Sequence, residues 1–170
     1  LSACASGGST AKNAEKAAAA LAESMLNAPS EPMQRFGSIL ESGEESALTA
    51  YKDAWEDEKA LCSENGFTSF IEEVLTMQLM ADEMNETVKV TAVKTEPYEE
   101  KDRVVRFTAD VTVNDTENMT VSGKCQFDED GKVSFIELDT DELEMTLIAN
   151  DNADPTQKPP ANGNAITLNE

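Results

Sequence analysis

The apolar residues of this chain change their spacing near its middle, and that change limits the fold more than any other feature of the sequence. Up to about residue 82 they recur every three or four positions, as on one face of a helix, and from Val88 onward they alternate, as on one face of a strand. Residues 14–28 are rich in Ala, Leu, Glu and Lys, all strong helix formers. Leu21, Met25 and Ala28 share a stripe there, and Pro29 stops the run. Ser30-Glu31-Pro32 marks a fresh start with Pro in the first turn. Met33, Phe36, Ile39 and Leu40 supply that helix with an apolar face, and Gly43 ends it. Ser42-x-x-Glu45 reads as a capping box for the next helix, in which Leu48, Tyr51, Trp55 and Cys62 recur at helical spacing until Asn65-Gly66. A further helix is predicted from about Thr68 to Asp82, with Phe70, Ile71, Val74, Leu75 and Leu79 facing inward.

The second half predicts four strands. Val88, Val90 and Ala92 alternate with Lys89 and Thr91; Val105, Phe107, Ala109, Val111 and Val113 form the clearest strand; Val121, Gly123, Cys125 and Phe127 repeat the pattern. Val133, Phe135 and Leu138 belong to a fourth strand with a bulge near Ile136. The connections Glu96–Glu99, Asn114–Glu117 and Asp128–Gly131 are short turn sequences, so neighbouring strands should pair antiparallel. Residues 139–150 fit two descriptions: Leu143, Met145 and Leu147 alternate like a strand, while Asp139-x-x-Glu142 could cap a helix. Helices followed by a meander imply one α+β domain over residues 14–150, its N-terminal helices packed on a four-stranded antiparallel sheet. Residues 1–13 read as a flexible tether and 151–170, rich in Pro, Asn, Asp and Gly, as a mobile tail.

Charge and composition narrow the function. With 13 basic against 34 acidic residues the net charge is −21, which repels phosphate backbones and excludes nucleic acid as an expected partner. The chain has no histidine, which removes the commonest general base, the usual nucleophile–base pairs and the commonest zinc ligand. No motif calls for a cofactor.

The opening Leu1-Ser2-Ala3-Cys4, followed by Ala5-Ser6-Gly7-Gly8-Ser9, resembles the lipobox of bacterial lipoproteins. The resemblance implies that Cys4 takes a diacylglycerol and becomes the first residue of the mature chain, with Leu1 the end of an apolar signal core. The protein would then be extracytoplasmic, anchored to the bacterial cell membrane through this N-terminal lipid. The order of helices and strands over residues 14–140 is similar to the cystatin-like and NTF2-like group, whose sheet packs around helices. That likeness has no residue signature and transfers no site.

Other constellations have plainer readings. Residues 126–137 partly match an EF-hand loop, with Asp128, Asp130 and Glu137 at ligand positions, but Gln126 replaces the first Asp and a hairpin turn accounts for Asp128-Glu129-Asp130-Gly131. The acidic runs Glu56-Asp57-Glu58 and Asp139–Glu144 read as solvated faces, and Tyr51, Trp55 and the phenylalanines as core. With Cys4 lipidated, Cys62 and Cys125 remain; both fall on apolar faces, and a disulfide between them is expected in an oxidising environment. The expected function is a non-enzymatic binding or interaction module for an unidentified small ligand or surface protein. The alternatives are a structural spacer and a carboxylate-based enzyme acting on wall glycans, the latter disfavoured by an aromatic content of 5%.

Overall fold

The computed structural model describes residues 7–153, with side chains described from Thr10 onward. Helices α1 (Gly7–Leu26), α2 (Glu31–Leu40), α3 (Glu45–Asp53), α4 (Glu56–Leu61) and α5 (Glu64–Glu83) precede strands β1 (Val88–Pro97), β2 (Val104–Val113), β3 (Glu117–Phe127) and β4 (Val133–Asp139), and α6 (Asp141–Ala153) follows. The strands form one antiparallel sheet in the order β1-β2-β3-β4. This is the expected α+β architecture. α1 packs on β1, β2 and β3, and α5 packs on β4 and α1.

The alternation in β2 divides the sheet into two faces. Val105, Phe107, Ala109, Val111 and Val113 are buried beneath the helices, while Arg106, Thr108, Asp110 and Thr112 point to the open side. α1 meets this face with Ala18, Leu21, Ala22 and Met25, all fully buried; small side chains at helical spacing let the helix axis approach the sheet closely. Val121, Cys125 and Phe127 continue the inner face on β3. At Gly123 an added Cβ would lie 2.2 Å from Cζ of Phe107, so the absent side chain is the space the ring fills.

Two bulges shift the alternation. In β1 the register steps from Val90↔Val111 to Ala92↔Asp110, leaving Thr91 unpaired. Ala92, expected inside, is therefore exposed, and Val93 turns toward the core. In β4 the extra residue is Ser134, since Phe127 pairs with Val133 and Gln126 with Phe135. The bulge expected near Ile136 lies two residues earlier. Ile136 and Leu138 are buried, while Phe135 turns outward and is 48% exposed.

The helical half differs from expectation at three junctions. Ser42 does not open α3: its hydroxyl donates to the Ile39 carbonyl at 2.6 Å and closes α2, and Glu44 occupies the α3 N-cap without a side-chain bond. The stripe Tyr51–Trp55–Cys62 is buried but discontinuous, because the helix breaks between Asp53 and Glu56. Asn65-Gly66 is not a stop. It lies in the first turn of α5, where the Ser63 hydroxyl accepts from Gly66 N at 3.2 Å.

The ambiguous segment after β4 is helical. Leu143 and Leu147 are buried one turn apart and Met145 is 71% exposed, which is helical rather than alternating burial. β4 pairs with β3 only from Ser122 onward, and α6 packs against β3 and α5 where the sheet has lost its fourth strand. At the other end, α1 starts at Gly7, so residues 7–13, read as tether, are helix. Cys4 and residues 154–170 lie outside the described residues.

Fully buried Gln78 secures the turn between α1 and α2. Its amide donates to the carbonyls of Met25 (3.3 Å) and Asn27 (2.7 Å), and its carbonyl accepts from Ser30 N at 2.8 Å. One side chain thus partners three backbone groups that the helix ends leave open.

Candidate functional site

Side chains pack over most of the sheet face that the helices cover. An apolar cavity remains at one end of that face, beside the first turns of α1. Its volume is about 290 Å³, and it is lined by Thr10, Ala11 and Ala14 of α1, Pro97 of β1, Arg103–Val105 at the start of β2, and Phe127–Glu129 with Gly131 at the end of β3.

Local geometry holds this cavity open. The β1–β2 loop closes with Tyr98 N donating to Val104 O at 2.9 Å and Lys101 N donating to Tyr98 O at 3.1 Å. Arg103 adopts a left-handed φ of 60°, and its carbonyl accepts from Phe127 N at 2.8 Å, tying the two loops together. The β3–β4 turn is built by Asp128: its carboxylate accepts from Asp130 N (3.0 Å) and Lys132 N (2.9 Å), and its carbonyl accepts from Gly131 N at 3.2 Å, with Gly131 at φ 76°. Val104, Val105 and Phe127 are nearly buried and offer the cavity only part of their surface. At the rim the Arg103 guanidinium stands 3.8 Å from the Glu129 carboxylate.

The calcium-loop candidates separate. Asp128 and Asp130 stay in the turn, while Glu137 lies on the open face of β4, paired with Lys124 at 3.0 Å. Asp128 already serves two backbone N–H groups. The segment is a hairpin turn, as its residues indicated. Glu56, Asp57 and Glu58 occupy the first turn of α4, and Asp141, Glu142 and Glu144 that of α6, positions that the positive end of the helix dipole favours. Tyr51, Trp55 and Phe70 form a buried edge-to-face series, with ring centroids 6.0 and 5.3 Å apart.

A shallower, more polar cavity of about 340 Å³ lies on the open face of the sheet, lined by Glu96, Arg106, Lys124, Glu137 and Asp139 among others. Glu96, Arg106, Lys124 and Glu137 fall in one cross-strand row. Arg106 also stacks on Tyr98, 3.7 Å from its ring centroid.

The expected disulfide is not formed: Cys62 and Cys125 are free thiols, both buried. Burial, with Glu58 adding, pushes the Cys62 thiol up to about 12 against the pull of Lys132. Burial, with Cys62 nearby, pushes Cys125 to about 12 as well. Disulfide formation by exchange starts from a thiolate, and the fold suppresses that form in both residues. A Cys4→Ala chain should therefore gain two alkyl groups when denatured without reductant and none within hours when native. Intact mass checks this, and a denatured chain with no label would restore the bridge.

The cavity could not be read from the sequence, because its walls come from four distant segments of ordinary residues. The one local signal was Asp128–Gly131, which marked the turn but not its neighbours. Compared with protein-family models, curated proteins and solved structures, the chain shows no match.

Proposed function

We propose that this chain is a lipid-anchored, extracytoplasmic binding module of a bacterial surface that holds its ligand at the α1 end of the sheet. The carrying observation is one of position: the helix that walls the apolar cavity begins three residues after the cysteine of a lipobox-like Leu1-Ser2-Ala3-Cys4. The order of helices and meander strands, similar to the cystatin-like and NTF2-like group, fits a scaffold that presents a ligand site on a rigid sheet. The lack of histidine favours binding over hydrolysis.

With α1 starting at Gly7, only Ala5 and Ser6 separate it from Cys4. Such a segment spans at most about 10 Å, so the anchored domain sits close against the bilayer. Expressed behind the apolar core of a secretory leader in a bacterial host, the chain should incorporate labelled palmitate and partition into the detergent phase. Cys4→Ala should abolish both. A Cys4→Ala chain that stays with the membrane would refute the anchor.

A further inference from the structure

We infer that the cavity beside α1 binds a single acyl chain whose head group carries no net negative charge. This deepens the proposed binding role by naming the ligand class, and it rests on that reading; the walls and the rim carry it without lipidation of Cys4, and the location adds to it where Cys4 is lipidated.

Three observations carry it. The first is the chemistry of the walls: Ala11, Ala14, Val105, Phe127 and Pro97 present aliphatic and aromatic carbon. The volume of about 290 Å³ lies at the lower end of the range for small-molecule sites, roughly 300 Å³ upward, and suits one slender chain better than a folded polar molecule. The polar cavity on the open face has charged walls and offers no such lining.

The second is the rim. Arg103 is the cation among the lining residues, against the carboxylates of Asp128 and Glu129. Asp128 is engaged by two backbone N–H groups, and Glu129 stands 3.8 Å from Arg103. A zwitterionic head can set its anion on Arg103 and its cation on Glu129. A purely anionic head meets an excess of negative charge at the rim and a molecule of net charge −21 behind it, an unfavourable field.

The third is location. Three residues span at most about 10 Å, so acyl chains attached at Cys4 begin within that reach of the helix that walls the cavity. The occupant can come from that lipid or from the lipids of the bilayer; the chemistry is the same.

The test uses the full chain as Cys4→Ser, which carries no lipid, titrated with decylphosphocholine below its micelle concentration and followed by calorimetry and amide chemical shifts. Saturable binding with shifts at Ala11, Ala14, Val105 and Phe127 is expected. Ala11→Phe, which fills the cavity from an exposed helix position, should weaken binding by about tenfold or more, equivalent to about 1.4 kcal/mol, with unchanged melting. Decanoate should bind about tenfold or more weakly than decylphosphocholine, for the same minimum difference. Non-saturating uptake, shifts elsewhere, indifference to Ala11→Phe, or preference for decanoate would each overturn the proposal. The natively processed chain then separates the sources. Loss of decylphosphocholine uptake there means the chain's own lipid fills the cavity, and retained uptake means a bilayer lipid does; both support an acyl occupant. If Cys4→Ala fails to release the protein yet Cys4→Ser binds as expected, only the anchor is refuted.

Discussion

Replacing Gly66 by Ala should destabilise the protein by about 3 kcal/mol or more, at the upper end of what overpacking costs. The first turn of α5 crosses β4 so closely that a Cβ at residue 66 would lie 1.7 Å from the Val133 carbonyl oxygen, 2.6 Å from its carbon and 3.1 Å from Ser134 Cα. All three are backbone atoms, so no side chain can rotate away. The helix would have to lift off the strand. Lifting stretches the bond from Ser63 N to Val133 O (2.8 Å) and the two between the Ser69 hydroxyl and Ile136 (both 3.0 Å). Helix propensity alone argues the reverse, because Ala in a helix is better than Gly by about 1 kcal/mol. The sign of the change therefore separates the two accounts. Trp55, the one tryptophan and a buried one, reports unfolding in a urea titration. Gly43→Ala is the control: Gly43 has φ 71° but open space around it, so about 1 kcal/mol of loss is expected there. A Gly66→Ala protein as stable as the parent would refute the close approach.

Gln78→Leu should cost about 3 kcal/mol. The leucine fits the buried volume but leaves the carbonyls of Met25 and Asn27 and the N–H of Ser30 without their partner. A buried polar group left unpaired costs about 1–3 kcal/mol, moderated where water can enter. For a domain of this size the melting temperature should fall by about 6–12 °C. Gln78→Glu sharpens the test: it keeps an acceptor for Ser30 N but sets a carboxylate against two carbonyls, so it should do no better than leucine near neutral pH. Calorimetric melting of the three proteins decides the matter. A leucine variant that melts with the parent would mean that the turn between α1 and α2 holds without the amide.

These two residues also mark the limit of what the sequence could reveal. Period-two alternation placed all four strands, because a sheet with one buried face forces that pattern on Val105–Val113 and its neighbours. It could not place the extra residues Thr91 and Ser134, since a bulge leaves composition unchanged and only moves the phase. Gly66 reads locally as a turn signal; its real constraint is a carbonyl 67 residues away in sequence, at Val133. Gln78 sits on a helix as an ordinary polar residue, and its importance arises only when the end of α1 is brought to it. Leu143, Met145 and Leu147 suit strand and helix equally until Met145 is seen to face solvent. The cavity beside α1 was the least legible feature, because Asp128–Gly131 signals only its own turn and the other segments that build the cavity carry no distinctive residue.

The closure of the sheet's two edges bears on how such molecules coexist at high density. An outer strand with a free run of N–H and C=O groups invites another chain to pair with it. On β4 that run is taken up by α5, through Ser63 at Val133 and the Ser69 hydroxyl at Ile136. On β1 the first half is met by Ala28, which exchanges two bonds with Val88, and by the Asn27 side chain at Val90 N. The second half carries the Thr91 bulge, Lys94, Glu96 and Pro97. A second chain approaching either edge meets hydrogen-bonding groups that are already partly engaged. Pairing edge to edge into a continuous sheet would first have to displace those bonds, which sets a barrier to aggregation through the sheet at high protein density.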